Sequence, residues 1–131
     1  MAKIRIVVAD DSDLFQQVFK ETIEASGKIS VIGTAQNGQD AMALVKRLQP
    51  DLLILDCEMP RMNGLECLRR IREEHPLPVF MLSSLTYEGA SVTIKALEYG
   101  AVDFLQKPTD GVQGLSRMVS VLVEKIEVIV L

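Results

Sequence analysis

Three aspartates, a serine and a lysine carry the chemistry open to this chain. Asp10 and Asp11 follow the apolar run Ile4–Ala9, Asp56 follows residues 52–55, Ser83 follows residues 79–82 and Lys107 follows residues 102–106. In an open parallel sheet all strands point the same way, so residues just past their C-terminal ends collect at one edge, in the crevice where such folds bind ligands. Two carboxylates roughly 5 Å apart repel by about 3 kcal/mol at an effective dielectric of about 20, so three together call for a cation. Oxygen ligands are hard, and a site with few protein ligands and room for water favours Mg²⁺, or Mn²⁺, over zinc. With metal bound, Lys107 brings the cluster close to neutral. Such a pocket can receive a phosphoryl group: placed on Asp56, it would turn one negative charge into about two, with Mg²⁺, Lys107 and the Ser83 hydroxyl available to its oxygens.

Each residue alone has a plainer reading. Asp and Ser after strands are common caps and turn formers, which is how Asp11 or Ser12 would be taken singly, and Lys107-Pro108 could be an exposed turn. Capping does not call for a lysine, however, so the set is read as a pocket. His75 stands before a proline at a helix end and is expected in a solvated loop. Met59, Met62 and Met81 are expected to be packing residues.

The elements that must hold these residues alternate between two periods. Leu14, Phe15, Val18, Phe19 and Ile23 form a helical stripe that opens on Asp11-Ser12-Asp13 and closes at Gly27. A strand over residues 30–35 precedes Asn37-Gly38 and a helix with Ala41, Leu44, Val45 and Leu48 inward, stopped by Pro50. The unit repeats with a helix carrying Leu65, Leu68 and Ile71, then with one carrying Ala90, Ile94 and Leu97 that stops at Gly100. A last helix over about residues 113–128 carries Leu115, Met118, Val119, Leu122, Val123 and Ile126. Such alternation predicts a parallel sheet with helices on both faces, and the unbroken apolar strands agree, since a strand covered on both faces need not alternate. The expected order is 2-1-3-4-5, which sets strands 1 and 3 side by side and brings Asp10 and Asp11 to Asp56.

A chain of 131 residues with 48% apolar content is expected to form one domain over residues 1–131 with a sizeable core. No apolar stretch is long enough to span a membrane and no signal peptide opens the chain, so a cytoplasmic protein is expected. A net charge of −4, with no basic cluster denser than Arg69-Arg70, argues against nucleic acid as a direct partner. Cys57 and Cys67 are too few for a disulfide framework or a zinc site and are expected to be reduced, partly buried thiols.

Val7-Val8-Ala9-Asp10-Asp11-Ser12, Leu55-Asp56-Cys57-Glu58-Met59-Pro60, Asn63-Gly64 and Lys107-Pro108 resemble the receiver domains of bacterial response regulators, over residues 3 to about 127. The resemblance implies a flavodoxin-like (βα)5 three-layer sandwich. It implies Asp56 as phosphoacceptor, Asp10 and Asp11 as the acidic metal pair, and Glu58 as the residue whose backbone carbonyl completes the metal site. It also implies Ser83 as the hydroxyl that contacts the phosphoryl group, Phe104 as the aromatic that changes rotamer, and Lys107 as the phosphate-binding lysine before what is usually a cis proline. Phe104 stands where Tyr often does and has no hydroxyl to donate, so a switch here must rest on packing.

Glu58-Met59-Pro60-Arg61-Met62-Asn63-Gly64-Leu65-Glu66, with Met81-Leu82-Ser83-Ser84-Leu85-Thr86 and Ala101-Val102-Asp103-Phe104, further resembles the receiver half of the chemotaxis protein-glutamate methylesterase family. With one His and no G-x-S-x-G element, the chain itself has no means of esterase chemistry. The apolar ending Val128-Ile129-Val130-Leu131 is expected to be a cut near a domain boundary. The implied partners are a sensor histidine kinase and an output domain or partner protein, reached through the face of helix 4, strand 5 and helix 5. The rival from another class is a Mg²⁺-dependent phosphatase with an aspartyl nucleophile, for which the second acid two residues on would be Glu58 instead of the usual Asp. A flavin-binding relative is disfavoured because Asp10-Asp11-Ser12-Asp13 would repel a phosphate.

Overall fold

The computed structural model describes residues 2–83, 89–109 and 111–130, with backbone alone at residues 89–93 and at Val112. Ten elements alternate: β1 (Ile4–Ala9), α1 (Asp13–Glu24), β2 (Ile29–Ala35), α2 (Gly38–Leu48), β3 (Leu52–Asp56), α3 (Gly64–Glu74), β4 (Val79–Ser83), α4 (Gly89–Glu98), β5 (Asp103–Gln106) and α5 (Gly111–Val130). The strands form one parallel sheet in the order β2-β1-β3-β4-β5. Every residue of β3 and β4 is buried, as strands covered on both faces require.

Alternation of side chains across the pleat splits the core in two. Ile6, Val8, Leu52, Ile54, Phe80 and Leu82 meet Phe19 and Ile23 of α1 and Leu115, Leu122 and Ile126 of α5 on one face. Val7, Leu53, Leu55, Val79 and Met81 meet Ala41 and Val45 of α2, Cys67, Leu68 and Ile71 of α3, and Ala96 of α4 on the other. Three helices start on side-chain caps, which satisfy otherwise orphaned N–H groups: Ser12 accepts from Phe15, Asn37 from Asp40 and Asn63 from Glu66. These caps hold the three loops that border the C-terminal edge of the sheet.

The differences from expectation are mostly of phase. Leu14 is 72% exposed, because it lies one step of about 100° off the Phe15, Phe19 and Ile23 row that meets the sheet. Ile94 and Leu97 are 60% and 49% exposed, while the small Ala96 faces inward and lets α4 approach the sheet. The side chain of Ala90 lies outside the described residues. Asp56 and Ser83 are the last residues of their strands, each of which runs one residue further than expected, and Val102 precedes β5. The last helix is longer than residues 113–128, running from Gly111 to Val130. No cis peptide bond occurs among the described residues, so the bond between Lys107 and Pro108 is trans, the isomer that X–Pro bonds themselves favour. Among the described residues no helix is long and apolar enough to cross a membrane. Cys57 and Cys67 are buried free thiols, each pushed up to about 12, first of all by burial, and so are inert at neutral pH.

Candidate functional site

Pairing register brings the acids together. Ala9 stands opposite Leu55, so the residues next along the chain, Asp10 and Asp56, end side by side, while Asp56 pairs with Leu82 and Ser83 with Gln106. One carboxylate oxygen from each of Asp10, Asp11 and Asp56 lies within 4.8 Å of the others; Asp10 and Asp56 are buried and Asp11 is exposed. The Lys107 ammonium reaches into the same space, 2.5 Å from Asp10 Oδ2 and 3.5 Å from Asp56 Oδ2. It is aimed there by the Lys107 N–H, which donates to the Ser83 carbonyl at 2.7 Å, and by the Phe15 ring, whose centroid lies 4.4 Å from Nζ.

The backbone around the acids is tied down. Ser12 N–H donates to Asp10 Oδ1 at 2.9 Å, and the Gln16 amide donates to the carbonyls of Asp10 and Ala35, both at 2.6 Å. Cys57 N–H donates to the Leu82 carbonyl and Gly64 N–H to the Cys57 carbonyl, which fixes the exit of β3. Asp56 Oδ1 is buried without a hydrogen-bond partner, a costly arrangement that a ligand would relieve.

Electrostatics lead to the same conclusion. Burial pushes the Asp56 carboxyl from its usual value up to about 7; the Asp10 charge adds to this, Lys107 opposes it and Glu58 adds again, while a backbone hydrogen bond at Glu58 lowers it. Burial works against the Lys107 ammonium, yet the hydrogen bond to Asp10 and the charges of Asp56 and Asp10 outweigh it and hold that group above the usual lysine range. One ammonium among these carboxylates leaves the pocket short of positive charge. Oxygen donors, an orphaned buried oxygen and excess negative charge fit a hard divalent cation such as Mg²⁺ or Mn²⁺.

A pH dependence follows. A carboxyl whose folded value is raised leaves stability undiminished below the unfolded value near 3.8, and removes it progressively as pH rises toward about 7. A divalent cation such as Mg²⁺ held by these carboxylates would have to displace that proton, so its apparent affinity would fall by about tenfold per pH unit below about 7 and level off above. Amide chemical shifts followed through Mg²⁺ titrations at pH 6 and pH 8 would measure this; equal affinities would refute it.

Of the residues singled out from sequence, Asp10, Asp11, Asp56 and Lys107 meet directly. Ser83 is fully buried at the rim, its hydroxyl donating to the Glu58 carboxylate at 3.0 and 3.1 Å. Phe104 is not in the pocket. It stands opposite Met81 and packs, partly buried, against the core on the α2, α3 and α4 side. Ser12 does cap α1, as the plainer reading had it, whereas Asp11 joins the acidic cluster. Sequence reasoning missed Gln16, the Phe15 contact and the Glu58 side chain; only the position of Phe15 in the helical stripe and of Glu58 two residues after Asp56 hinted at them.

The family model for the response regulator receiver domain matches residues 6–119. The chain is 49% identical over 110 residues to the protein-glutamate methylesterase/protein-glutamine glutaminase of Pyrococcus abyssi, covering 84% of this chain and 30% of that protein. With the same enzyme of Bacillus licheniformis it shares 44% identity over 124 residues, covering 94% of this chain and 35% of that protein. It thus spans about a third of the length of these relatives. Among solved structures, the response regulator domain of Thermotoga maritima CheB superposes with a TM-score of 0.88 at 40% identity, covering 98% of this chain and 97% of that one. The signal receiver domain of NarL from Mycobacterium tuberculosis gives 0.80 at 30% identity, covering 95% and 98%.

Proposed function

Because this chain belongs to the response regulator receiver domain family, we propose that it takes a phosphoryl group from a histidine kinase onto Asp56. The observation that carries this reading is the Lys107 ammonium set between the buried Asp10 and Asp56 carboxylates, beside an Asp56 oxygen with no hydrogen-bond partner. An Asp56 carboxylate oxygen forms the new bond to phosphorus as the bond from phosphorus to the donor histidine nitrogen breaks. That nitrogen leaves with the bonding pair and is protonated from solvent. Asp10, Asp11, Asp56 and the Glu58 backbone carbonyl would hold Mg²⁺, which when bound neutralises charge on the transferred oxygens. Lys107 and the Ser83 hydroxyl receive those oxygens and keep the acyl phosphate in place.

The output is a change of packing. Ser83 moving toward the phosphoryl group draws residues 84–86 with it, a segment outside the described residues, and Phe104 turns into the space released. This alters the face made by α4, β5 and α5, where Ile94, Leu97, Tyr99 and Val102 are exposed apolar side chains suited to a partner. The similarity to methylesterases supports a chemotaxis role, with a C-terminal esterase domain as the output.

Intact-mass spectra after incubation with acetyl phosphate and Mg²⁺ should show one phosphoryl adduct. Turnover of exogenous phosphate esters in place of a stable adduct would favour the phosphatase reading. Beryllofluoride with Mg²⁺ should shift amides of residues 87–99, the first two of which lie outside the described residues, and 102–106 as well as those of the pocket; changes confined to the pocket would remove the relay.

A further inference from the structure

Glu58 lies two residues past Asp56, half-buried in the connection from β3 to α3. Its side chain reaches the end of β4, where the Ser83 hydroxyl donates to Oε1 at 3.1 Å and to Oε2 at 3.0 Å. A serine hydroxyl has one proton to give, so a hydroxyl committed to a carboxylate is withheld from a phosphoryl oxygen. Lys107 is held in a comparable way, 2.5 Å from Asp10 Oδ2. Both groups that an aspartyl phosphate would recruit are therefore already engaged by anionic oxygens of this chain. Asp10 is buried beside Lys107, whereas Glu58 sits in a loop with part of its surface toward solvent.

We infer that the Glu58 carboxylate is a stand-in for the phosphoryl group in the unphosphorylated protein, latching Ser83 until the hydroxyl is exchanged onto phosphorylated Asp56. The inference rests on the phosphoacceptor reading of Asp56 and makes Glu58 a positioning residue acting through Ser83. The exchange breaks the Ser83–Glu58 hydrogen bond and forms one from Ser83 to a phosphoryl oxygen. The same carboxylate also repels an approaching anionic donor, and its charge is among those that raise the Asp56 carboxyl. Latch and repulsion are separable. A latch acts through Ser83, whereas repulsion does not depend on that hydroxyl.

The test uses Glu58→Ala and Glu58→Gln at saturating Mg²⁺, each alone and combined with Ser83→Ala. Two quantities are read: the rate of labelling by acetyl phosphate, from intact mass, and the apparent affinity for beryllofluoride, from amide shifts. Glu58→Ala should label about tenfold faster and bind beryllofluoride correspondingly tighter, the scale expected for freeing one hydrogen bond to a charged group. Glu58→Gln keeps an acceptor for Ser83 without the charge, should fall between, and carries the test if the alanine variant melts early. Ser83→Ala should cost more in the Glu58→Ala background than in the native chain, because only in the latter must the hydroxyl first leave Glu58. Native rates in both Glu58 variants, or Ser83→Ala slowing every background by the same factor, would overturn the latch. An unlabelled native protein would instead bring down the phosphoacceptor reading beneath it.

Discussion

Asp56→Asn should abolish phosphoryl labelling while leaving the fold more stable at pH 8 than the native chain. Asparagine keeps the shape of the side chain but presents no anionic oxygen to phosphorus, and among the described residues only Asp10 also sets a buried carboxylate beside the Lys107 ammonium. Asp10 is the nearest competitor, yet one of its oxygens accepts from the Ser12 N–H and the other is held by Lys107. The gain in stability comes from the same burial that raises the Asp56 carboxyl to about 7. Ionising it in the folded chain costs on the order of 4 kcal/mol above that pH, relative to an unfolded carboxyl near 3.8. The amide avoids this cost. The sign is definite: the advantage of the variant should be full near pH 8, shrink as pH falls through about 7, and vanish below about 4. Intact mass and metal-free melting curves at pH 8 and pH 4 measure both parts. A phosphoryl adduct on the variant would move the nucleophile elsewhere, and a variant less stable at pH 8 would contradict the account of the pocket as short of positive charge.

Gly64→Ala should lower the melting temperature by about 10 °C and slow labelling together, on a penalty of roughly 3 kcal/mol. Gly64 opens α3 directly against the phosphoacceptor strand. A Cβ there would stand 2.2 Å from the Asp56 carbonyl oxygen, 2.7 Å from Cys57 Cα and 2.9 Å from the Asp56 carbonyl carbon. All three are backbone atoms, so no rotamer change relieves the clash. Either α3 lifts off the sheet, opening the contacts of Cys67 and Leu68, or the end of β3 shifts and takes Asp56 with it. The second route moves the nucleophile away from Lys107, which is why stability and labelling should fall together. Gly27 is the natural control, since a Cβ there meets nothing within 4 Å, although its positive φ of 75° adds some local strain of its own. A Gly64→Ala protein melting within about 2 °C of the native chain would show that the contact yields more easily than its backbone character implies.

Much of this architecture is a direct consequence of residue order. A run such as Leu52-Leu53-Ile54-Leu55 suits a strand covered on both faces. Asn37 and Asn63 can open helices because their side chains satisfy N–H groups the helix leaves orphaned. The carboxylates and Lys107 announced a pocket because they stand at the ends of apolar runs, and parallel pairing must bring those ends to one edge. Periodicity sets which residues share a face of a helix but leaves open which face meets the sheet. Ile94 and Leu97 therefore looked inward by size, whereas packing selected the small Ala96. What only the tertiary structure decided are the contacts that depend on strand register and loop path. These are Phe15 beneath Lys107, Gln16 bridging two strand-end carbonyls, and Glu58 holding a hydroxyl 25 residues away. Each needs two segments placed to within about 1 Å, a precision set by the close packing of the whole core and not by any local preference of the chain.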